Sequence, residues 1–258
     1  MSRPKGGFGG EPNDDMVATT TANAILTDLD PSELAILMSA SEEVPLERGG
    51  VIAEAGETPT YVYFPTEGVL SLVGATNGGS TVEVAVVGPE GVASISAVLG
   101  DQQLPFRVVT QVPGRAIRIS TDVASELMTQ CGDFHHRLMA YTHQMIAQVA
   151  QSAVCNRFHN AKQRLARWLL MTADRADSNE LPLTHEFISY MVGGPRSAVT
   201  EAAAELRETG AIAYRRGLIT ISSPEKLREQ SCECYELLGD PRTTRVVVAS
   251  RASSAAQV

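Results

Sequence analysis

The chain has 258 residues, 43% of them hydrophobic, and a formal net charge of −9; that is enough length and apolar content for two domains with real cores. No apolar run approaches the roughly 20 residues that span a bilayer. The polar start, MSRPKGGFGGEPNDD, lacks the apolar stretch of a secretory signal, so no membrane partner is expected and a cytoplasmic location is.

Residues 1–22 are rich in Gly, Pro, Asn, Asp and Thr, a composition that buries little apolar surface and predicts a disordered arm. Asn23 to Ala40 reads as a short helix, a turn and a second helix, with Asp30 as cap, Pro31 in the first turn and Glu33 two residues on. From Val44 to Ile119 short apolar runs alternate with Gly and Pro. The runs are 51–53, 61–64, 69–73, 81–87, 108–112 and 116–119. Strands of this length and spacing predict a β-sandwich or barrel within a domain over 23–130. Asn77-Gly78 marks a hairpin.

Turn residues then vanish from Asp133 to Phe158, which predicts a long helix within a segment 131–160. It carries two stripes: Met139, Thr142, Ile146, Val149 and Ala153, and Leu138, Tyr141, Met145, Gln148 and Ser152. One stripe can cover the strand domain while the other meets an identical helix. A single broad stripe buried within one subunit is the alternative. The residues assigned to a dimer interface are Leu138, Tyr141, Met145, Ile146, Val149 and Ser152. Ala161 to Thr172 is a further amphipathic helix, with Leu165, Trp168, Leu169 and Met171 facing the C-terminal unit.

Leu183 to Ile221 reads as helix, tight turn, helix and β-hairpin, the core of a unit spanning 161–224. Thr184 caps the first helix, His185–Met191. Val192-Gly193-Gly194 turns the chain, Pro195 opens the second helix, and Gly210 closes it after Glu208. Val199, Ala203 and Leu206 recur at helical spacing and form the packed face. The opposite face offers Arg196, Ser197, Thr200, Glu201 and Arg207. Arg donates two hydrogen bonds to guanine, and Ser or Thr bonds a base or a phosphate. Arg215 and Arg216 at the hairpin tip suit a phosphate contact. A plain helical hairpin with a solvated charged face is the competing view.

Charge supports the DNA-binding reading. Residues 1–152 hold 7 Lys/Arg against 18 Asp/Glu, whereas 153–228 hold 11 against 8. A basic segment joined to an acidic one is the pattern of a DNA-binding half attached to a sensor. A short helix from Pro224 and a low-complexity, disordered tail complete 225–258. The cysteines, at 131, 155, 232 and 234, form no paired CxxC motif and are expected to be reduced. Cys155 and His159 lie four apart on a helix, a spacing two metal ligands could use, but no metal is expected from that pair alone.

The segment Thr184–Ile221 resembles the winged helix-turn-helix of the Crp/Fnr family of bacterial transcription regulators. The resemblance rests on the Thr184 cap, Ile188 and Val192, Arg196 at the start of the second helix, and the Leu206…Gly210-Ala211-Ile212 exit. The glycine order from Val51 to Leu70 resembles the cyclic-nucleotide-binding roll of the same family. The implied fold is α+β: an N-terminal β-roll (double-stranded β-helix or jelly roll), a long dimerisation helix and a C-terminal winged helix-turn-helix. The implied activity is sequence-specific regulation of transcription by a homodimer on palindromic double-stranded DNA, with RNA polymerase as a further partner.

Thr184, Arg196, Ser197, Thr200, Glu201, Arg215 and Arg216 are the DNA-binding candidates, with the Arg196 position reading a guanine in the family. Ser197 and Glu201 depart from the family's Glu and Arg, so the familiar operator does not carry over. The phosphate cassette departs too. In Gly88-Pro89-Glu90-Gly91-Val92 the Glu does not follow the right glycine, and no Arg follows at the needed distance before Arg107. A cyclic phosphate needs a positive partner to offset its desolvation. No cyclic nucleotide is therefore expected, and the effector is left unassigned. A cyclic-nucleotide-responsive subunit acting on another protein is the alternative function. With no phosphate loop, G-x-S-x-G or H-E-x-x-H, no enzyme is expected.

Overall fold

The structure is a computed structural model that describes residues 22–239 apart from Asp28, Asp101, Gln102 and Cys131. The expected arm before Ala22, the tail beyond Gly239 and Cys131 lie outside the described residues.

The N-terminal half opens with α1 (Ala24–Thr27) and α2 (Pro31–Ser39), continues through strands β1 (Ser41–Leu46), β2 (Val51–Ala53), β3 (Tyr61–Ala75), β4 (Thr81–Val87) and β5 (Arg107–Ser120), and ends in α3 (Thr121–Thr129). The antiparallel sheet has the order β1-β5-β3-β4, with β2 also on β5. Four of the expected separate strands are two long ones. The Pro65–Gly68 and Pro113-Gly114 positions do not break the chain into strands; they are irregularities within β3 and β5. Gly68 sits at φ +83°, and a Cβ there would come within 2.6 Å of the Val112 carbonyl, so only glycine allows the two strands to approach this closely. Strand β1 escapes the alternation rule because Pro45 interrupts it. It lies at the sheet edge, where a missing N–H is tolerated.

The roll's core gathers Leu37, Phe64, Leu70, Val87, Ile117 and Ile119 with Phe134 and Leu138 of the next helix. Each such side chain contributes roughly 1.5–3 kcal/mol when fully buried. That next helix, α4 (Asp133–Phe158), is the long one. Its first turn is held from outside. Glu33 on α2 accepts from the amides of Asp133 (2.9 Å) and Phe134 (2.6 Å), placing a carboxylate at the positive end of the helix. Sequence spacing assigns Glu33 to its own helix start; its carboxylate serves a helix about 100 residues later instead.

The C-terminal half comprises α5 (Ala161–Ala176), β6 (Glu180–Leu181), α6 (His185–Val192), α7 (Arg196–Glu208), β7 (Ile212–Arg215), β8 (Leu218–Ile221), α8 (Pro224–Gln230) and α9 (Cys234–Leu238). A second core joins Leu165, Trp168 and Leu169 of α5 to Ile188, Val199, Leu206, Ile212 and Ile219. Val73 and Val109 of the roll belong to this same cluster, so the two halves share apolar contact.

Candidate nucleic-acid interface

The geometry of α6 and α7 follows from local chemistry. Thr184 Oγ1 accepts from the amide of Phe187 at 3.2 Å and starts α6. Pro195 is the cap of α7 rather than its first residue, with φ −62° and ψ 140°; the helix begins at Arg196. At the far end Gly210, at φ +74°, reverses the chain. Its amide donates to Arg207 O (2.9 Å) and the amide of Ala211 to Leu206 O (3.2 Å), which closes the last turn. The packed face of α7 is Val199, Ala202, Ala203 and Leu206, all buried. The small alanines let the helix sit close to its neighbours.

The opposite face is open. Thr184, Arg196, Ser197, Thr200, Glu201, Arg215 and Arg216 are all exposed. The Arg196 side chain is 60% exposed and rests 2.6 Å from Glu186 in the first turn of α6. Thr200 Oγ1 donates to the Arg196 carbonyl at 2.9 Å. Arg216, at φ +41°, turns the β7–β8 tip. The adjacent Gly217 lies beside Thr184, and the His185 ring stacks on Tyr214 at 4.3 Å, so the hairpin is fixed against the start of α6. Burial holds the His185 imidazole below its usual pKa, so it stays neutral near pH 7. The start of α6, the open face of α7 and the hairpin tip therefore form one surface. Sequence reasoning misses Glu186, because an acid ten residues before Arg196 carries no periodic signal.

Behind this surface lies a seam against the roll in which polar groups are paired. Thr81 Oγ1 of β4 donates to the Tyr190 carbonyl at 2.9 Å. Gln111 donates to Thr172 at 2.6 Å. Trp168 Nε1 donates to Glu83 at 3.0 Å, and Ser71 donates to the same carboxylate at 2.5 Å. Burial pushes the Glu83 carboxyl up to about 7, against the pull of those hydrogen bonds. Arg175 of α5 pairs with Glu90 at 2.7 Å, with both side chains largely buried.

The pairing at Glu90 matters because it belongs to the segment that resembles a phosphate cassette. Its carboxylate is engaged by Arg175 of the C-terminal half. Arg107 pairs with Glu54 at 2.6 Å and reaches Tyr190 at 3.4 Å, so it too faces away from the roll interior. Beside Glu90 a cavity of about 360 Å³ opens between roll, α4 and α5, lined in part by Tyr141, Met145, Asp174, Arg175 and Leu237.

The dimer-interface assignment needs correction. Leu138, Tyr141 and Ser152 are buried within their own chain, and Met145 packs on the roll core. Gln148 of the same stripe exchanges hydrogen bonds with the backbone of Val86. Ile146 and Val149 face outward, 62% and 38% exposed, together with Met139 on the same stripe. The expected interface mixes both stripes. Periodicity finds stripes but does not say which one the same chain covers.

Four groups at the end of α4 and the start of α9 also converge. Cys155, His159, Cys232 and Cys234 place their donor atoms within 4.8 Å of one another. Spacing alone suggests the first pair and cannot bring in the second, which lies far along the chain beyond the hairpin.

A roll joined through a long helix to a winged helix-turn-helix defines a two-domain DNA-binding regulator. Comparison with known proteins gives the family. Residues 43–131 match the cyclic nucleotide-binding domain and residues 163–230 the Crp-like helix-turn-helix domain. The chain belongs to the Crp/Fnr family of transcription regulators. It is 21% identical over 216 residues to a CRP-like cAMP-activated global transcriptional regulator of Mycobacterium tuberculosis, covering 80% of this chain and 96% of that one. It is 22% identical over 193 residues to a global nitrogen regulator of Synechococcus elongatus, covering 71% and 87%. A Crp/Fnr-type structure from Eubacterium rectale shares the fold, with TM-score 0.65, 17% identity and coverage of 81% and 98%. Among the described residues no helix is long and apolar enough to cross a membrane.

Proposed function

We propose that this regulator binds double-stranded DNA as a homodimer, inserting α7 into the major groove with Arg196 on a purine and Arg215 and Arg216 on phosphates. The observation that carries the reading is the single open surface formed by the α7 face, Thr184 and the hairpin tip. Glu186 holds Arg196 in the free protein and must yield it to a base. Met139, Ile146 and Val149 supply the apolar stripe on which a second copy of α4 would pack. Two-fold symmetry then sets two recognition helices about 34 Å apart, on half-sites one DNA turn apart. Contact with RNA polymerase belongs to the same proposal.

The effector is a small molecule other than a cyclic nucleotide. Arg175 occupies Glu90 and Glu54 occupies Arg107, so the roll offers neither a carboxylate to a ribose hydroxyl nor an arginine to a cyclic phosphate. The cleft beside Glu90 is where a ligand would touch sensor, long helix and DNA-binding half together, and so bias their arrangement.

The test is selection of bound fragments from genomic DNA by the purified protein. Enrichment of a palindrome with one-turn half-site spacing is the expected result. Random fragments, or a single-subunit protein on the enriched DNA, would overturn the reading. Cyclic AMP and cyclic GMP should leave the melting temperature unchanged.

A further inference from the structure

We propose that Cys155, His159, Cys232 and Cys234 form a tetrahedral zinc site that ties the chain beyond the hairpin to the end of the long helix. The donor set is three thiols and one imidazole, the composition zinc takes in closed structural sites. Two of the six donor separations already have the length of tetrahedral edges. Zinc bonds of about 2.3 Å to sulfur and 2.0 Å to nitrogen give tetrahedral edges of roughly 3.5–3.8 Å. Cys155 and Cys232 sulfurs lie 3.6 Å apart, and Cys234 Sγ lies 3.5 Å from His159 Nδ1. Donors all within 4.8 Å of one another leave room for one ion and are too close together for a multi-iron cluster. The 3.6 Å sulfur separation is also well beyond a disulfide bond of about 2.05 Å.

The surroundings are built for a liganded state. Cys155, Cys232 and Cys234 are buried and form a cluster of their own, apart from the apolar cores. His159 aims Nδ1 at the site while Nε2 lies 3.3 Å from the Glu233 carboxylate. That outer partner fixes the tautomer a metal-bound histidine needs. Gln151 Nε2 donates to Cys234 Sγ at 2.9 Å, the contact a thiolate would accept. Three thiolates and a divalent ion leave one net negative charge. Arg167, buried on α5 and bonded to Ser152 one turn before Cys155, stands nearby to offset it.

The placement gives the site a role. Cys155 is in the last turn of α4 and His159 is its C-cap, at the junction with α5. Cys232 and Cys234 flank Glu233 at the entrance to α9, beyond the β7–β8 hairpin. One ion at this point spans both sides of the joint between long helix and DNA-binding half, and holds the angle at which α7 is presented. This inference stands without the DNA-binding reading, because its test is metal content.

The full chain, prepared under reducing conditions without chelator, is dialysed and its metals are measured by mass spectrometry. One zinc per chain is expected. Replacement with cobalt(II) should give thiolate charge-transfer absorption and intense visible bands of a tetrahedral ion. Cys155→Ser and Cys234→Ser should each lose the metal, while His159→Cys, which keeps four ligands, should retain it. Zinc well below one per chain with no uptake of zinc or cobalt by the reduced protein would overturn the proposal. So would a Cys155–Cys232 disulfide as the resting state under the same preparation.

Discussion

The recognition surface and the seam behind it are built from similar residues and behave in opposite ways. Arg196, Arg215 and Arg216 stand in solvent, and the ion pair of Arg196 with Glu186 is largely exposed. An exposed pair of that kind contributes little to stability. Arg175, in the helix that precedes the recognition unit, is buried against Glu90, and breaking such a pair strands a charge. Arginine on the open face is therefore available for a ligand, while arginine in the seam holds two domains together. Substitutions should separate along that line: loss of DNA binding without loss of stability on one side, loss of stability and altered domain arrangement on the other.

The sharpest test of the contrast is Arg175→Met. It leaves the Glu90 carboxylate largely buried without its partner and should destabilise the protein by about 3 kcal/mol or more. Thermal or urea unfolding reads this directly; a change within error would mean that water already solvates the pair. The double change Arg175→Met with Glu90→Gln should recover part of the loss, because no charge is then stranded.

Arg196→Ala makes the opposite prediction. Operator affinity should fall by about 1–3 kcal/mol, roughly 5- to 150-fold, with the melting temperature unmoved. A matching fall in stability would place Arg196 on the seam side of the comparison. Arg215→Ala with Arg216→Ala should weaken binding on all sequences alike and lower the slope of log affinity against log salt by roughly one for each phosphate no longer neutralised. Equal slopes for parent and variant would remove the hairpin tip from the DNA.

This same division explains how much the sequence reveals. The open face is legible because capping, turn chemistry and helical period are local: Thr184, Gly193-Gly194, Val199 and Leu206 sit within a few residues of the turns and helices they organise. The DNA-binding candidates Thr184, Arg196, Ser197, Thr200, Glu201, Arg215 and Arg216 lie on that surface for this reason. The seam is not legible because its pairs are distant in the chain. Glu83 meets Trp168, Glu90 meets Arg175, Gln148 meets Val86, and Glu33 caps a helix beginning at Asp133. No spacing rule links such residues. The cysteine cluster stays hidden for the same cause, and the two stripes of α4 look alike at helical period until the chain's own packing covers one of them.

At Glu83 the seam should carry its own pH dependence, spread over several pH units rather than read as a single loss. Its carboxyl is lifted from 4.5 to about 7, chiefly by burial. The folded, docked state therefore keeps a proton that the unfolded chain releases at lower pH. The sign follows from this: the stabilising contribution is fully present below about pH 4.5, falls as pH rises through the window, and is lost above about pH 7. The hydrogen bonds that Ser71 and Trp168 donate to the ionised form are already contained in that shift, which corresponds to a loss on the order of 3 kcal/mol across the window. Glu83→Gln keeps the shape and the hydrogen bond from Trp168 but cannot ionise. Its unfolding free energy should be flatter than the parent's between about pH 5 and pH 8, with roughly one residue's worth of slope removed. It should also exceed the parent's at the upper end. A variant with the parent's slope would show that the seam admits enough water to leave Glu83 an ordinary carboxylate, and would move it to the exposed side of the comparison.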